Sequence, residues 1–292
     1  MTANPYRKFV NNVNKKKPSS EPARHAHKAF RRRESRFSFS FIILVITLLF
    51  LFLPLFYIIF FSFNSGKGSQ FTDFSLVWYK ELFFNSQDLW EALGNSLIIA
   101  FTSAAVSTIL GTIAAVGINW YKFRGRSYIQ TVSFLPMVLP EVIIGVSMLI
   151  FFAGIKVPLG LFTIFAAHTT FCLPFVYLMV TARIDEFDFS IIEASHDLGA
   201  TEKQAMIKVV IPAIMPGILS GFMMAVTMSL EDFVITFFVS GPGSTTLPLY
   251  VYSMIRFGVS PVINALSLVM IIGTVIIAIF LRKFLKIIAA AK

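Results

Sequence analysis

Six long stretches of the chain carry almost no charge, and they constrain the fold more than any other feature. They are Phe37–Ser65, Ala92–Tyr121, Ser127–Ile155 (interrupted only by Glu141), Val157–Ala182, Val209–Leu230 and Phe257–Leu281. A helix that crosses a hydrocarbon core of roughly 30 Å needs about 20 apolar residues, so each stretch is long enough to span. None shows the two-residue alternation of a barrel strand. The pattern predicts an all-α, polytopic membrane protein with six transmembrane helices, over about 38–62, 95–118, 131–154, 158–181, 212–237 and 260–281. Composition agrees: 14% of the 292 residues are charged, against roughly 25% in a soluble domain. The single cysteine, Cys172, excludes an intramolecular disulfide scaffold and a cysteine-based zinc cluster.

The net charge of +10 is concentrated at one end. Residues 1–36 carry +9, with runs at Lys15-Lys16-Lys17 and Arg31-Arg32-Arg33, and the rest of the chain carries +1. Set among Asn, Ser, Pro and His, these runs predict a disordered cytosolic arm that lies on anionic lipid headgroups. Its charge is explained by the positive-inside rule and its aromatic residues are few (Tyr6, Phe9 and Phe30), so the arm is not expected to bind nucleic acid. The positive-inside rule places both termini in the cytosol. Lys122, Arg124 and Arg126 mark the second connection, and Arg282, Lys283 and Lys286 the C-terminal end, whereas the first connection is acidic with Asp73, Glu81, Asp88 and Glu91. The expected organisation is a basic tail over 1–36, a membrane domain over 37–286 and a short cytosolic end over 287–292. The segment from Val239 to Pro261 is expected to be an external connection, its course set by Gly241-Pro242-Gly243 and Pro248.

The fourth connection, 183–210, differs from the others. It is charged, yet Ile191, Ala194, Leu198 and Ala205 recur at helical spacing. An apolar stripe on a charged helix outside the membrane packs either on its own bundle or in the groove of another protein. Gly199-Ala200 predicts the end of one short helix, and Thr201-Glu202-Lys203-Gln204 has the capping-box form that starts a second.

At these residues the chain resembles the membrane permeases of binding-protein-dependent ABC importers. Their signature of Glu-Ala-Ala, three residues, Gly, nine residues and Ile-x-Leu-Pro stands here as Glu193-Ala194-Ser195, Gly199 and Val209-Val210-Ile211-Pro212. The resemblance implies a type I importer permease fold, with Glu193, Ala194, Ser195, Gly199 and Pro212 in a loop that couples to a separate ATPase. More narrowly, Ser229-Leu-Glu-Asp-Phe-Val-Ile-Thr236, Gly241-Pro-Gly243 and Arg256-Phe-Gly-Val-Ser-Pro261 resemble the second permease of spermidine/putrescine importers. This likeness covers about Phe39 to Lys283 and leaves the basic tail outside. Where that pattern has two Asp residues, this chain has Glu231-Asp232.

The resemblance implies a plasma-membrane or inner-membrane permease that assembles with a second permease, an ATPase dimer and an extracytoplasmic binding protein to import polyamines. No cofactor is expected in this chain, because ATP and magnesium would be bound by the partner ATPase. Glu141, Glu231 and Asp232 are the expected substrate-path residues. Glu141 falls about halfway along the third predicted span, where a lipid-facing charge would cost about 2.5–3.5 kcal/mol, so it is expected to face inward. It is either a cation ligand or a protonated group bonded to another helix. Adjacent helix positions point about 100° apart, so Glu231 and Asp232 cannot face one path equally. Asp232 is favoured by its match to the family pattern, the alternative being a charge pair that only marks the end of the span. His168, isolated in an apolar run, is expected to be a packing histidine rather than a proton relay.

The sequence contains no reaction chemistry. A phosphate loop, His-x-x-x-His, Gly-x-Ser-x-Gly and paired cysteines are all absent, which excludes the usual ATPase, metalloenzyme and serine hydrolase signatures, and no catalytic or metal-ligating residue is expected. Two other functions fit the spans: a permease for a different solute, and an ion-coupled carrier in which Glu141 is the coupling site. The carrier leaves the 183–210 signature unexplained.

Overall fold

The computed structural model describes residues 39–67, 70–120, 123–257 and 261–290. The basic arm over 1–36 lies outside them, as do the side chains of Arg282, Lys283 and Lys286. The described chain is helical, and its one extended pairing is a single bridge between Asn64 and Phe74. It divides into residues 1–58 and 59–292. The first unit contributes most of α1 (Phe39–Phe61), an uncharged helix with Pro54 inside it.

In the second unit the helices are α2 (Val77–Phe84), α3 (Gln87–Trp120), α4 (Arg126–Ser133), α5 (Leu135–Val138), α6 (Glu141–Gly154) and α7 (Leu161–Asp185). They are followed by α8 (Ser190–Asp197), α9 (Glu202–Ala205), a π-turn (Met206–Val210), α10 (Ile211–Glu231), α11 (Val234–Val239), α12 (Leu247–Phe257) and α13 (Val262–Ala290). Among the described residues, four helices are long and apolar enough to cross a membrane: α1, α3, α7 and the continuous run Glu202–Glu231. The expected third span is not one straight helix. Residues 126–138 and 141–154 meet at a bend of 108°, because Pro140 cannot continue the helix before it. The sixth expected span falls in α13, where the apolar part is the shorter Val262–Ile277. The segment read as the last external connection contains α12, whose Pro248 sits in the first turn, where a missing N–H costs nothing.

The core is a trio of helices, α3, α7 and α10, packed on one another. Lipid tails are as apolar as leucine, so helices in a bilayer associate by close contact and shared hydrogen bonds rather than by hiding oil from water. The buried face of α3 is accordingly rich in small residues, Ser96, Ala100, Ser103, Ala104, Ser107, Gly111 and Ala115, with Leu89, Ile99 and Ile118 buried beside them. Val176 of α7 sits between two glycines. A Cβ at Gly111 would lie 2.9 Å from the Val176 side chain, and one at Gly221 of α10 would lie 3.2 Å from it. Gly217 gives the same clearance to Arg183, whose Nε donates to the Ala213 carbonyl at 3.3 Å.

α6 leans on α11 rather than on this trio. A Cβ at Gly145 would meet the Phe238 ring at 2.7 Å and the Ile235 Cα at 3.3 Å. The α6–α7 turn is fastened to the end of α11, where Thr163 Oγ1 donates to the Val239 carbonyl at 2.7 Å and Gly241 passes so close to the Leu159 carbonyl that no side chain fits. That turn closes with a left-handed residue, Lys156 (φ 58°), whose N–H and that of Val157 satisfy the carbonyls of Ala153 and Phe152.

Candidate functional site

Two helix breaks define the site. The first is made by Pro140, and Glu141 is the first residue of the helix beyond it. Glu141 is therefore at a helix start, not halfway along a continuous span, and its side chain is exposed. The second break is at Asp232, where the backbone turns extended (φ −65°, ψ 121°) between α10 and α11. Glu231, the last residue of α10, is exposed, whereas Asp232 is 7% exposed. The structure brings the two breaks close together, since Gly145, one turn past Glu141, packs on Ile235, one turn past Glu231. It also separates the surroundings of the three expected path carboxylates, with Glu141 and Glu231 exposed and Asp232 buried.

Asp232 is buried because its oxygens are occupied. Oδ1 accepts from the Ile235 N–H at 3.2 Å, and Oδ2 from the Thr236 N–H and hydroxyl, each at 2.8 Å, which caps the start of α11. His168 of α7, 1% exposed, places Nε2 3.1 Å from the same Oδ2 and Nδ1 2.6 Å from Ser229 Oγ. Ser103 of α3 continues the chain of contacts to Ser229 Oγ at 3.2 Å. His168 is thus a buried, fully bonded residue, and its partner is one of the expected path residues. Sequence alone gave no sign of this pairing, since the two residues are 64 positions apart.

Aromatic faces stand beside the second break. Phe233 packs against Tyr252 of α12 at 4.6 Å and against Phe237 at 5.7 Å, with Tyr252 and Phe237 partly exposed. Exposed carboxylates with aromatic rings nearby are what an extended chain of ammonium groups needs, because charge attraction and ring faces can both be met along its length.

The signature segment makes a separate surface. α8 starts with the Ser190 N–H donating to Asp188 Oδ1 at 3.0 Å. It ends in a Schellman closure, with Gly199 at φ 85° and the N–H groups of Gly199 and Ala200 bonded to the carbonyls of His196 and Ser195. Thr201 and Gln204 form the expected capping box, with Gln204 Oε1 2.9 Å from the Thr201 N–H and Thr201 Oγ1 3.4 Å from the Gln204 N–H. Glu193 and Ala194 are exposed, Ser195 Oγ bonds to the Ile192 carbonyl at 2.7 Å, and Pro212 lies in the first turn of α10. Of the apolar stripe, Ile191 (48% exposed) and Leu198 (90%) face solvent, and only Ala205 is buried.

A helical bundle with several apolar spans, an exposed apolar stripe on a capped helix and carboxylates at two breaks describes a multi-pass membrane permease. Residues 107–291 match the family described as binding-protein-dependent transport system inner membrane component, and the chain belongs to that family. It is 37% identical over 233 residues to the spermidine/putrescine transport system permease protein PotC of Escherichia coli (strain K12), covering 77% of this chain and 88% of that protein. It is 40% identical over 240 residues to the putrescine transport system permease protein PotI of the same organism, covering 80% and 85%. In fold it resembles a bacterial ABC transporter involved in the import of the acidic polysaccharide alginate, with a TM-score of 0.67 at 18% identity over 84% of this chain and 94% of that one.

Proposed function

We propose that this permease passes polyamines across the membrane. The observation that carries this reading is that two exposed carboxylates, Glu141 and Glu231, stand at two neighbouring helix breaks, the second of which carries the Phe233–Tyr252 ring pair. The two polyamine permeases that resemble it over about four-fifths of the chain support the substrate class. In this reading a di- or tri-ammonium chain meets spaced negative charges and aromatic faces, an arrangement that attracts it without a cage tight enough to hold it. Both termini face the cytosol. The exposed stripe of α8, with Glu193, Ala194, Ser195 and Gly199, enters a cleft of an ATPase dimer that binds ATP and magnesium. A second permease and an extracytoplasmic binding protein complete the complex, and alternating access follows from the movement of α8.

The test is ATP-driven uptake of labelled spermidine and putrescine by vesicles that contain the whole complex. Glu141→Gln and Glu231→Gln are expected to lower uptake about tenfold each with assembly unchanged, the effect of losing about 1.4 kcal/mol of charge attraction. Transport that needs ATP but ignores both polyamines would remove the substrate class and leave the permease.

A further inference from the structure

The path described above uses exposed carboxylates, and His168 is not one of its groups. An ionised carboxylate offers about four acceptor sites. Asp232 meets four donors: the Ile235 N–H, the Thr236 N–H, the Thr236 hydroxyl and His168 Nε2. Oδ2 takes three of them and Oδ1 one, so this buried carboxylate is satisfied largely from within the protein. Because Oδ2 accepts from Nε2, the other ring nitrogen takes the Ser229 hydroxyl at 2.6 Å in the neutral ring. Asp, His and Ser in this order also occur where serine attacks a substrate. Here the relay ends inside the protein, since Ser229 is buried and its oxygen faces only His168 and Ser103.

We propose that His168 is a positioning residue for transport. It reaches from α7 to hold Asp232, which in turn holds the start of α11. Together these bonds fix the break between α10 and α11, and with it the direction in which Glu231 projects. Asp232 is a holder of the break and not a ligand of the cation. The bonds span four elements: Ser103 on α3, His168 on α7, Ser229 on α10 and Thr236 on α11. Loss of the imidazole therefore releases the break from the trio that supports it. Glutamine at 168 can still donate to Asp232, whereas leucine fills the volume and donates nothing.

The inference rests on the reading that Glu231 faces the path, and two measurements on the full complex keep it separate from the substrate class. The first follows the reaction of a small thiol reagent with Glu231→Cys in a Cys172→Ala background. His168→Leu is expected to change the labelling rate about tenfold, and His168→Gln to leave it within about twofold. Equal rates in all three would overturn the proposal, whatever the solute is. The second measures ATP-driven uptake with Glu231 restored. His168→Leu is expected to lower spermidine and putrescine uptake alike by about tenfold, while His168→Gln keeps roughly half or more. Equal loss in both variants would assign proton transfer to His168, and a loss confined to the more highly charged spermidine would assign direct contact with the cation. Either result overturns positioning. If the intact complex carries neither polyamine, the substrate reading fails and the labelling measurement still decides. Should His168→Leu not assemble, Thr236→Val keeps the shape and removes one of the four donors. It is then expected to shift labelling by about threefold, and no shift would overturn the proposal.

Discussion

Two helices of this permease are broken near one another, and they are broken by different means. Ahead of Glu141 the break is covalent: Pro140 has no N–H and its ring disfavours a helical predecessor, so the 108° bend follows from one residue. After Glu231 nothing in the backbone chemistry demands a stop. There the helix ends because Asp232 finds better partners outside it, in the next turn of chain and in His168 of another helix. A locally encoded break costs little to keep and tolerates change in its neighbours. A break held by tertiary bonds depends on every residue that contributes a donor, and it can be adjusted from a distance.

That contrast orders the expected effects of substitution. The largest is Asp232→Ala, which strands the buried His168 and the Thr236 N–H without their acceptor. A loss of about 3 kcal/mol or more is expected in the unfolding of the purified complex. Next is Gly145→Leu, which forces a side chain into the Phe238 ring and the Ile235 backbone where the two broken helices touch. Overpacking there is expected to cost about 1–3 kcal/mol, visible in the same melt. Pro140→Ala should shift the melting transition by no more than about 1 kcal/mol while lowering uptake as the bend relaxes. If it destabilises the complex more than Asp232→Ala, the contrast between the breaks is wrong.

The smallest effect comes from a third carboxylate with the same capping chemistry but in water. The Ser190 backbone N–H, 3.0 Å from Asp188, holds that carboxyl below the usual carboxylate range. Its value in the folded chain is the lower one, so its stabilising effect is present above the unfolded value and is lost as pH falls through the folded value. Amide exchange in α8, corrected for intrinsic rates, should speed up across that acidic window in the wild-type protein and not in Asp188→Asn.

The same division explains how far the sequence could be read. The Gly199 closure and the Thr201–Gln204 box follow from residues within a few positions of one another and stand in the structure, as do four of the six expected spans as long apolar helices, the third being bent at Pro140 and the sixth shorter. The third expected span runs through Pro140 as one helix, whereas the structure starts a new helix there. α12 was concealed by the same Gly and Pro residues that suggested a loop. The second break could not be read at all. Beyond the local cap of Asp232 on Ile235 and Thr236, the bonds that hold it run through His168 and join positions 61 to 68 apart, and isolated His, Ser and Thr residues in apolar runs carry no spacing that pairs them. The expected path residues fall at the two breaks, and the burial of Asp232 against the exposure of Glu141 and Glu231 is seen only in the structure.

The helix that ends at this second break begins far away. From Glu202 to Glu231 the chain runs 30 residues without interruption through its π-turn, a length of about 45 Å. One end adjoins the Schellman corner after α8 and the other carries Glu231 at the second break. A rod of that kind behaves as a lever. Its close contact with Val176 through Gly221 lies partway along its length, so a rigid tilt about that point would move its first and last turns in opposite directions.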